Sequence, residues 1–248
     1  MEPEFVTGEA AVLLGEKLIV SDLHIGIEHE YYKSGIKMES QTHVMKTRLD
    51  SIIKISKPKE LIFLGDIKHK VPGISYQEVK EIPEFINHFS KEIKVTVVMG
   101  NHDPGIENLG IKFHVKPTEG YASDDVYLTH GHTWPDKGFL GCRYIVMGHI
   151  QPQIEFKDKL GYVWREPVWV RTRISPAKLK SRYGKVKNLP ELIIIPAFNT
   201  FIGGMILNKK GIVKERKEYN GPLLKCADMK KSDIYLLDGT FLGKLKDL

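Results

Sequence analysis

The chain has 248 residues, 42% hydrophobic and 27% charged, with 37 Lys and Arg against 31 Asp and Glu for a formal charge of +6. At this length it buries roughly 70–75% of the surface its unfolded form exposes, and no apolar run approaches the ~20 residues that span a bilayer, so disordered and transmembrane classes are excluded. Two cysteines, Cys142 and Cys226, are too few for a disulfide framework or a thiolate cluster, so a metal would have to be held by Asp, Asn and His.

The N-terminus carries acidic residues and no basic stretch leading into an apolar one, which predicts a cytoplasmic protein without a secretory leader. Along the chain, short apolar runs predict strands at residues 11–14, 18–20, 60–64, 95–99, 126–129, 144–147 and 192–195. Between them, residues 39–55 and 78–89 have the spacing of amphipathic helices, with Pro58 stopping the first and Pro83 kinking or shortening the second. The last third returns to strand-like pieces at 203–207, 212–217, 234–237 and 240–242, the last two joined by an Asp238-Gly239 turn. No repeat or low-complexity linker separates these parts. The expectation is a single α/β domain over residues 1–248, its later sheet packed on the earlier one.

Six of the ten histidines fall in polar clusters at predicted strand ends, where open α/β folds place ligands. In Ser21-Asp22-Leu23-His24, Asp22 and His24 point to one side of an extended segment. In Gly65-Asp66-Ile67-Lys68-His69, the two oxygens of Asp66 could bridge two cations, although an acid after a strand also caps turns. In Gly100-Asn101-His102-Asp103, adjacent side chains cannot share one ion comfortably, so Asn101 suits a ligand and His102 suits contact with substrate. Asp103 either orients His102 or caps the turn. Thr129-His130-Gly131-His132 and Gly148-His149-Ile150-Gln151 each alternate two donors about a middle residue. One such histidine is ordinarily structural, but five aligned clusters make a mixed oxygen and nitrogen shell for two divalent ions.

From 165 to 187 the chain holds Arg165, Arg171, Arg173, Lys178, Lys180, Arg182, Lys185 and Lys187 against Glu166 alone, with Trp169 and Tyr183 among them and Trp164 just before. Such a segment can hold phosphates and stack bases, or be a solvated face with snorkelling lysines.

The ordered set Asp22-x-His24, Gly65-Asp66, Gly100-Asn101-His102-Asp103, His130 and Gly148-His149-x-Gln151 resembles the calcineurin-like metallophosphoesterase superfamily over residues 18–151. The resemblance implies a four-layer α/β/β/α sandwich with two ions at strand ends, Mn²⁺ favoured and Ni²⁺, Fe²⁺ or Zn²⁺ the alternatives. It implies that Asp22, His24, Asp66 and Gln151 hold the first ion and Asp66, Asn101, His130 and His149 the second, with Asp66 bridging. Gln151 stands where the family more often has histidine. His102 is then the catalytic group, a proton donor to the leaving oxygen or an electrostatic clamp, with Asp103 setting its tautomer or orientation, and His69 and His132 are second-layer donors to the ligands or contacts of the substrate. The Gly65-to-His69 motif and the chain's size look most like an archaeal branch related to the nuclease subunit SbcD and to bacterial phosphoesterases associated with DNA ligase. The implied activity is phosphodiester hydrolysis, with DNA or RNA among the substrates, no membrane partner, and a homodimer as in related nucleases. A small-nucleotide phosphodiesterase, a phosphomonoesterase, and an inactive nucleic-acid-binding scaffold altered at Gln151 are the competing expectations.

Overall fold

The computed structural model describes residues 2–186, 189–209 and 221–248. The first sheet has six strands in sequence order: β1 (Glu4–Phe5), β2 (Val12–Leu14), β3 (Lys17–Val20), β4 (Glu60–Leu64), β5 (Lys94–Val98) and β6 (His114–Lys116). The first three form antiparallel pairs, and β3 through β6 run parallel. Parallel neighbours need crossovers, supplied by the helices α1 (Glu28–Lys33) and α2 (Thr42–Ser56) before β4, and by α3 (Tyr76–Ser90) before β5.

The second sheet has nine strands: β7 (Tyr121–Ser123), β8 (Val126–Thr129), β9 (Tyr144–Met147), β10 (Pro152–Lys157), β11 (Val163–Arg173), β12 (Glu191–Ile194), β13 (Met205–Ile206), β14 (Asp233–Leu236) and β15 (Phe241–Lys244). Their order is β13-β10-β11-β12-β9-β8-β7, with β14 also on β11 and β15 on β14. The helix α4 (Pro176–Tyr183) and a short helix, Pro222–Cys226, pack on its outer face through Leu179, Leu223 and Leu224.

Strands β4, β8 and β9 read as unbroken apolar runs because both of their faces are buried. Along β4, Leu61 and Phe63 face Leu49, Phe85 and Ile86 of the helices, whereas Ile62 and Leu64 join Leu128, Val146, Trp169 and Ile193 between the two sheets. The layers are therefore helix, sheet, sheet and helix, as the resemblance implied.

Pro83 does not shorten α3, which runs on to Ser90. A proline inside a helix costs about 3 kcal/mol. Burial of Ile82, Phe85, Ile86 and Phe89 on one stripe, at about 1.5–3 kcal/mol each, outweighs that cost. The predicted strand at 212–217 lies outside the described residues. The predicted hairpin forms with Gly239 at φ 91° and the Asp238 carboxylate accepting from the Thr240 amide at 2.8 Å.

The basic segment becomes β11, α4 and their junction. Its alternation puts Trp169 between the sheets, stacked on Phe5 at 4.2 Å, so this ring belongs to the core. Arg165 donates to Glu155 at 3.0 Å and Arg171 donates to both oxygens of Glu191 at 2.8 and 2.9 Å. Lys178 donates to the carbonyls of Lys225 and Ala227, and Arg182 sits 5.0 Å over the Trp134 ring. Arg173 is level with Glu191, where β12 begins, at the far end from the histidine clusters. Lys187 lies outside the described residues. No helix among the described residues is long and apolar enough to cross a membrane.

Candidate metal centre

All five histidine clusters follow directly on the C-terminal ends of β3, β4, β5, β8 and β9. Because these strands are parallel within each sheet and the sheets pack face to face, the chain leaves five neighbouring strands at one edge of the sandwich. The exits are tightly bent. Among the described residues, seven non-glycine positions have positive φ, and five of them are Asp22 (57°), His24 (44°), Asp66 (54°), His149 (73°) and Gln151 (48°). Each such conformation costs on the order of 1–3 kcal/mol and persists only where its surroundings enforce it.

Asp66 is at the middle. Its Oδ2 lies 3.6 Å from His24 Nε2 and 3.2 Å from His130 Nε2, so one carboxylate faces ring nitrogens from both sheets. The groups Asp22-His24-Asp66 and Asp66-His130-His149 each bring their ligand atoms within 4.8 Å of one another and share Asp66. All five of these residues are buried. Asn101 adds its Oδ1 at 3.2 Å from His130 Nε2. Gln151 directs its amide to Asp22 Oδ1 at 3.0 Å and His24 Nε2 at 2.9 Å, and a half-turn of that amide brings its oxygen to the same point.

Neighbouring groups hold these side chains from behind. His130 donates through Nδ1 to the Leu64 carbonyl at 2.6 Å, which leaves Nε2 aimed at Asp66. Asp22 Oδ2 accepts from Ser21 Oγ at 2.6 Å and from the His149 amide at 3.0 Å, tying the two sheets together. Ser21 was not singled out from the sequence, and neither was Asn199, whose amide donates to the Leu23 carbonyl at 2.8 Å. Asn199 stands just beyond β12, the same strand-exit signal that marked the other clusters.

His102 and Asp103 are brought to the site in different ways. The His102 amide donates to Asp66 Oδ1 at 2.9 Å, and its ring donates through Nδ1 to the His69 carbonyl at 2.5 Å. The His102 ring lies 4.8 Å from that of His24. Asp103 is fully buried, and its carboxylate accepts from the amides of Gly100 (2.7 Å), Asp66 (2.8 Å) and Ile67 (2.8 Å). Asp103 thus clasps the exits of β4 and β5, the turn-capping alternative, while the His102 ring takes its orientation from the His69 backbone. His69 also approaches His24, Nδ1 to Nδ1, at 3.3 Å. His132 lies 5.2 Å from the His130 ring, and its buried Nδ1 has no hydrogen-bond partner.

Burial raises the Asp66 pKa, but the charge and hydrogen bond of His130 and the charges of His24 and His102 hold it well below the ordinary carboxylate range. Burial works to lower that of His130, yet Asp66 and then Asp22 push it up to about 10. His69, His132 and His149 are held near 4, each mainly by burial, with charges on neighbouring histidines adding to it. Beside the buried carboxylates His130 is thus pushed toward its cationic form, and a divalent ion at this place would displace its proton. Carboxylate, imidazole and amide oxygen make a donor set that fits two such ions.

Close approach at Gly148 permits this arrangement. A methyl there would overlap Ser21 Oγ and stand 2.6 Å from Asp22 Oδ2. Gly148→Ala is expected to displace Asp22 and lower bound metal by about one ion per chain, read by elemental analysis beside a thermal melt. Full metal content would show that Asp22 is no ligand.

A family model described as calcineurin-like phosphoesterase matches residues 17–174. No curated protein matches the sequence. Among solved structures, the nuclease MPE of Pseudomonas putida is similar at 20% identity over 96% of both chains, with a TM-score of 0.55. Yfce, a phosphoesterase from E. coli, is 19% identical over 57% of this chain and 73% of its own, with a TM-score of 0.37.

Proposed function

The chain belongs to the calcineurin-like phosphoesterase family, and from that premise we propose that it is a phosphodiesterase working with two divalent cations, Mn²⁺ favoured, and cutting DNA or RNA. The observation that carries the reading is the convergence of five strand exits on one carboxylate, Asp66, with strained backbone at five of the donor positions. In this reading Asp22, His24, Asp66 and Gln151 hold one ion, and Asp66, Asn101, His130 and His149 hold the other. When bound, two such ions supply an activated water at neutral pH and offset the charge that develops on the phosphoryl oxygens.

The chain's own groups do the rest. Leu64 and Ser21 orient His130 and Asp22, and the His69 carbonyl holds the Nδ1 proton of His102. His102 Nε2 is thereby left to carry a proton to the leaving oxygen. The five clusters contain no arginine, and their one lysine, Lys68, points its ammonium at the carbonyls of Lys70 and Gly73. A phosphate here meets no fixed side-chain cation from the clusters, which suits a singly charged diester better than the dianion of a monoester. The fold shared from end to end with a nuclease supports a nucleic-acid substrate. The Gly65-to-His69 motif supports a place near the archaeal SbcD-related branch.

A second reading, hydrolysis of small nucleotide diesters, is favoured by the internal engagement of Arg165, Arg171 and Lys178, which removes three cations from any phosphate track. One screen separates these readings. Purified protein with Mn²⁺, Ni²⁺, Fe²⁺ or Zn²⁺ is offered bis(4-nitrophenyl) phosphate, the monoester, cyclic nucleotides, and single- and double-stranded DNA and RNA. The expected result is metal-dependent cleavage of the bis-ester and of nucleic acid. Bis-ester cleavage alone selects the small-substrate reading, and no hydrolysis with any metal selects an inactive scaffold.

A further inference from the structure

Behind the site, the loop from His69 to Ser75 is held by two fully buried charges of opposite sign. Glu78, in the first turn of α3, accepts through Oε1 from the amides of His69 (2.9 Å) and Lys70 (2.6 Å), and through Oε2 from the amide of Ser75. In return, Ser75 Oγ accepts from the Glu78 amide at 3.2 Å. Lys68 satisfies the loop's carbonyls, donating to Lys70 and, at 3.0 Å, to Gly73. Glu78 is 0% exposed and Lys68 1%. A helix N-terminus needs only a capping box. Here the same carboxylate also reaches two amides outside the helix, and the chain makes room for it. Gly26, at φ 96°, lies where a methyl would stand 2.8 Å from Glu78 Cγ.

What this arrangement fixes is the peptide joining His69 to Lys70. Its N–H, on Lys70, is held by Glu78 at 2.6 Å, and its C=O, on His69, receives the His102 ring proton, while the His69 N–H in the preceding peptide is held by Glu78 and by the Ile25 carbonyl at 3.0 Å. We infer that Glu78 is a positioning residue for His102, acting through the backbone of the 69–75 loop to set the tautomer and direction of that ring. This rests on the phosphodiesterase reading for its consequence in catalysis, although the ring's hydrogen bond is measurable without it. A carboxylate accepting several amides in a dry site cannot be replaced by a carboxamide without turning an N–H toward an N–H.

The test has two readouts. In metal-free protein labelled with ¹⁵N-histidine, the His102 Nδ1–H is expected as a slowly exchanging resonance, assigned by its loss in His102→Ala, and Glu78→Gln is expected to weaken or shift it. In the metal-loaded enzyme, Glu78→Gln is expected to lower kcat about tenfold more on a dinucleoside monophosphate, whose alkoxide leaving group needs a proton, than on bis(4-nitrophenyl) phosphate, whose leaving group does not. On a His102→Ala background the same substitution is expected to cost less than about twofold, because the group it serves is gone. Equal falls on both substrates, equal falls on both backgrounds, or an unchanged imidazole resonance would each overturn the inference. If Glu78→Gln does not fold, Ser75→Ala loosens the same turn and is expected to show the same pattern at about two- to threefold. A wild type that hydrolyses neither substrate refutes the phosphodiesterase reading instead, and the imidazole resonance still decides whether Glu78 positions the ring.

Discussion

Asp66→Asn is expected to abolish the binding of both metal ions and to lower phosphodiester hydrolysis by about 10³-fold or more. The geometry behind this is the place of the carboxylate between His24 Nε2 and His130 Nε2, at 3.6 and 3.2 Å. No other acid contacts both rings among the described residues, since Asp22 lies 3.8 Å from His24 on one side only. An amide keeps the shape and can still accept from the His102 N–H, so the loop exits should survive. The negative charge does not survive, and with it goes the larger part of what raises the His130 pKa, with Asp22 left as the smaller part. Losing the ions removes several kcal/mol of stabilisation of the developing charge, and at about 1.4 kcal/mol per decade roughly 4 kcal/mol gives the expected factor. Elemental analysis with a thermal melt checks it. Two ions per chain retained in a folded variant would defeat the bridging assignment.

His102→Ala is expected to do the opposite in metal binding and nearly as much in rate. The ring is not among the groups that converge on Asp66 Oδ2; it donates through Nδ1 to the His69 carbonyl, stands edge-on to the His24 ring at 4.8 Å in a separate cluster with His24 and His69, and reaches Asp66 Oδ1 only through its backbone amide. Because the amide that reaches Asp66 belongs to the backbone, the alanine variant keeps it. Metal content is therefore expected to stay at the wild-type value while kcat on nucleic acid or a dinucleoside monophosphate falls by about 10²–10⁴, the range for a lost general acid. Substrates with an activated phenolate leaving group are expected to suffer much less. Should metal content and rate fall together, His102 would belong to the ligand set and the division of roles would be wrong.

Much of this centre could be read without coordinates because its signal is local. The donors of each cluster sit one to five residues after the end of an apolar run, and a strand end displays its side chains at one edge whatever the rest of the chain does. The low count of cysteine narrowed the ligand chemistry to oxygen and imidazole. Where the sequence leaves alternatives, the reason is equally physical. Asp103 could orient its neighbour His102 or cap the turn; adjacent residues point apart, and its oxygens go to the Gly100 amide in the turn and to amides 36 and 37 positions away. For the basic segment the sequence leaves a phosphate track and a solvated face open, and the fold decides only part of it: strand alternation sends Trp169 inward and Arg171 onto Glu191. Pro83 is expected from its type to kink or shorten its helix; the helix is not shortened, because burial of the apolar stripe overrides a local preference.

Residue order was thus enough to establish an α/β protein with oxygen and imidazole donors gathered at strand ends, because periodicity and side-chain type act over a few residues. Which atoms face one another was settled only in three dimensions. Asp22 meets the His149 amide across 127 positions, and His24 meets Asp66, only when β3, β4 and β9 align at one edge. Likewise, the Gln151 amide lies within reach of Asp22 and His24, and the buried pair Glu78 and Lys68 holds the peptide that aims His102. The contacts of Asp22 with His149 and of Gln151 with Asp22 and His24 depend on the packing of two sheets, and those of Asp66 and Glu78 on the alignment of β3, β4 and α3, conditions that side-chain type and periodicity do not specify.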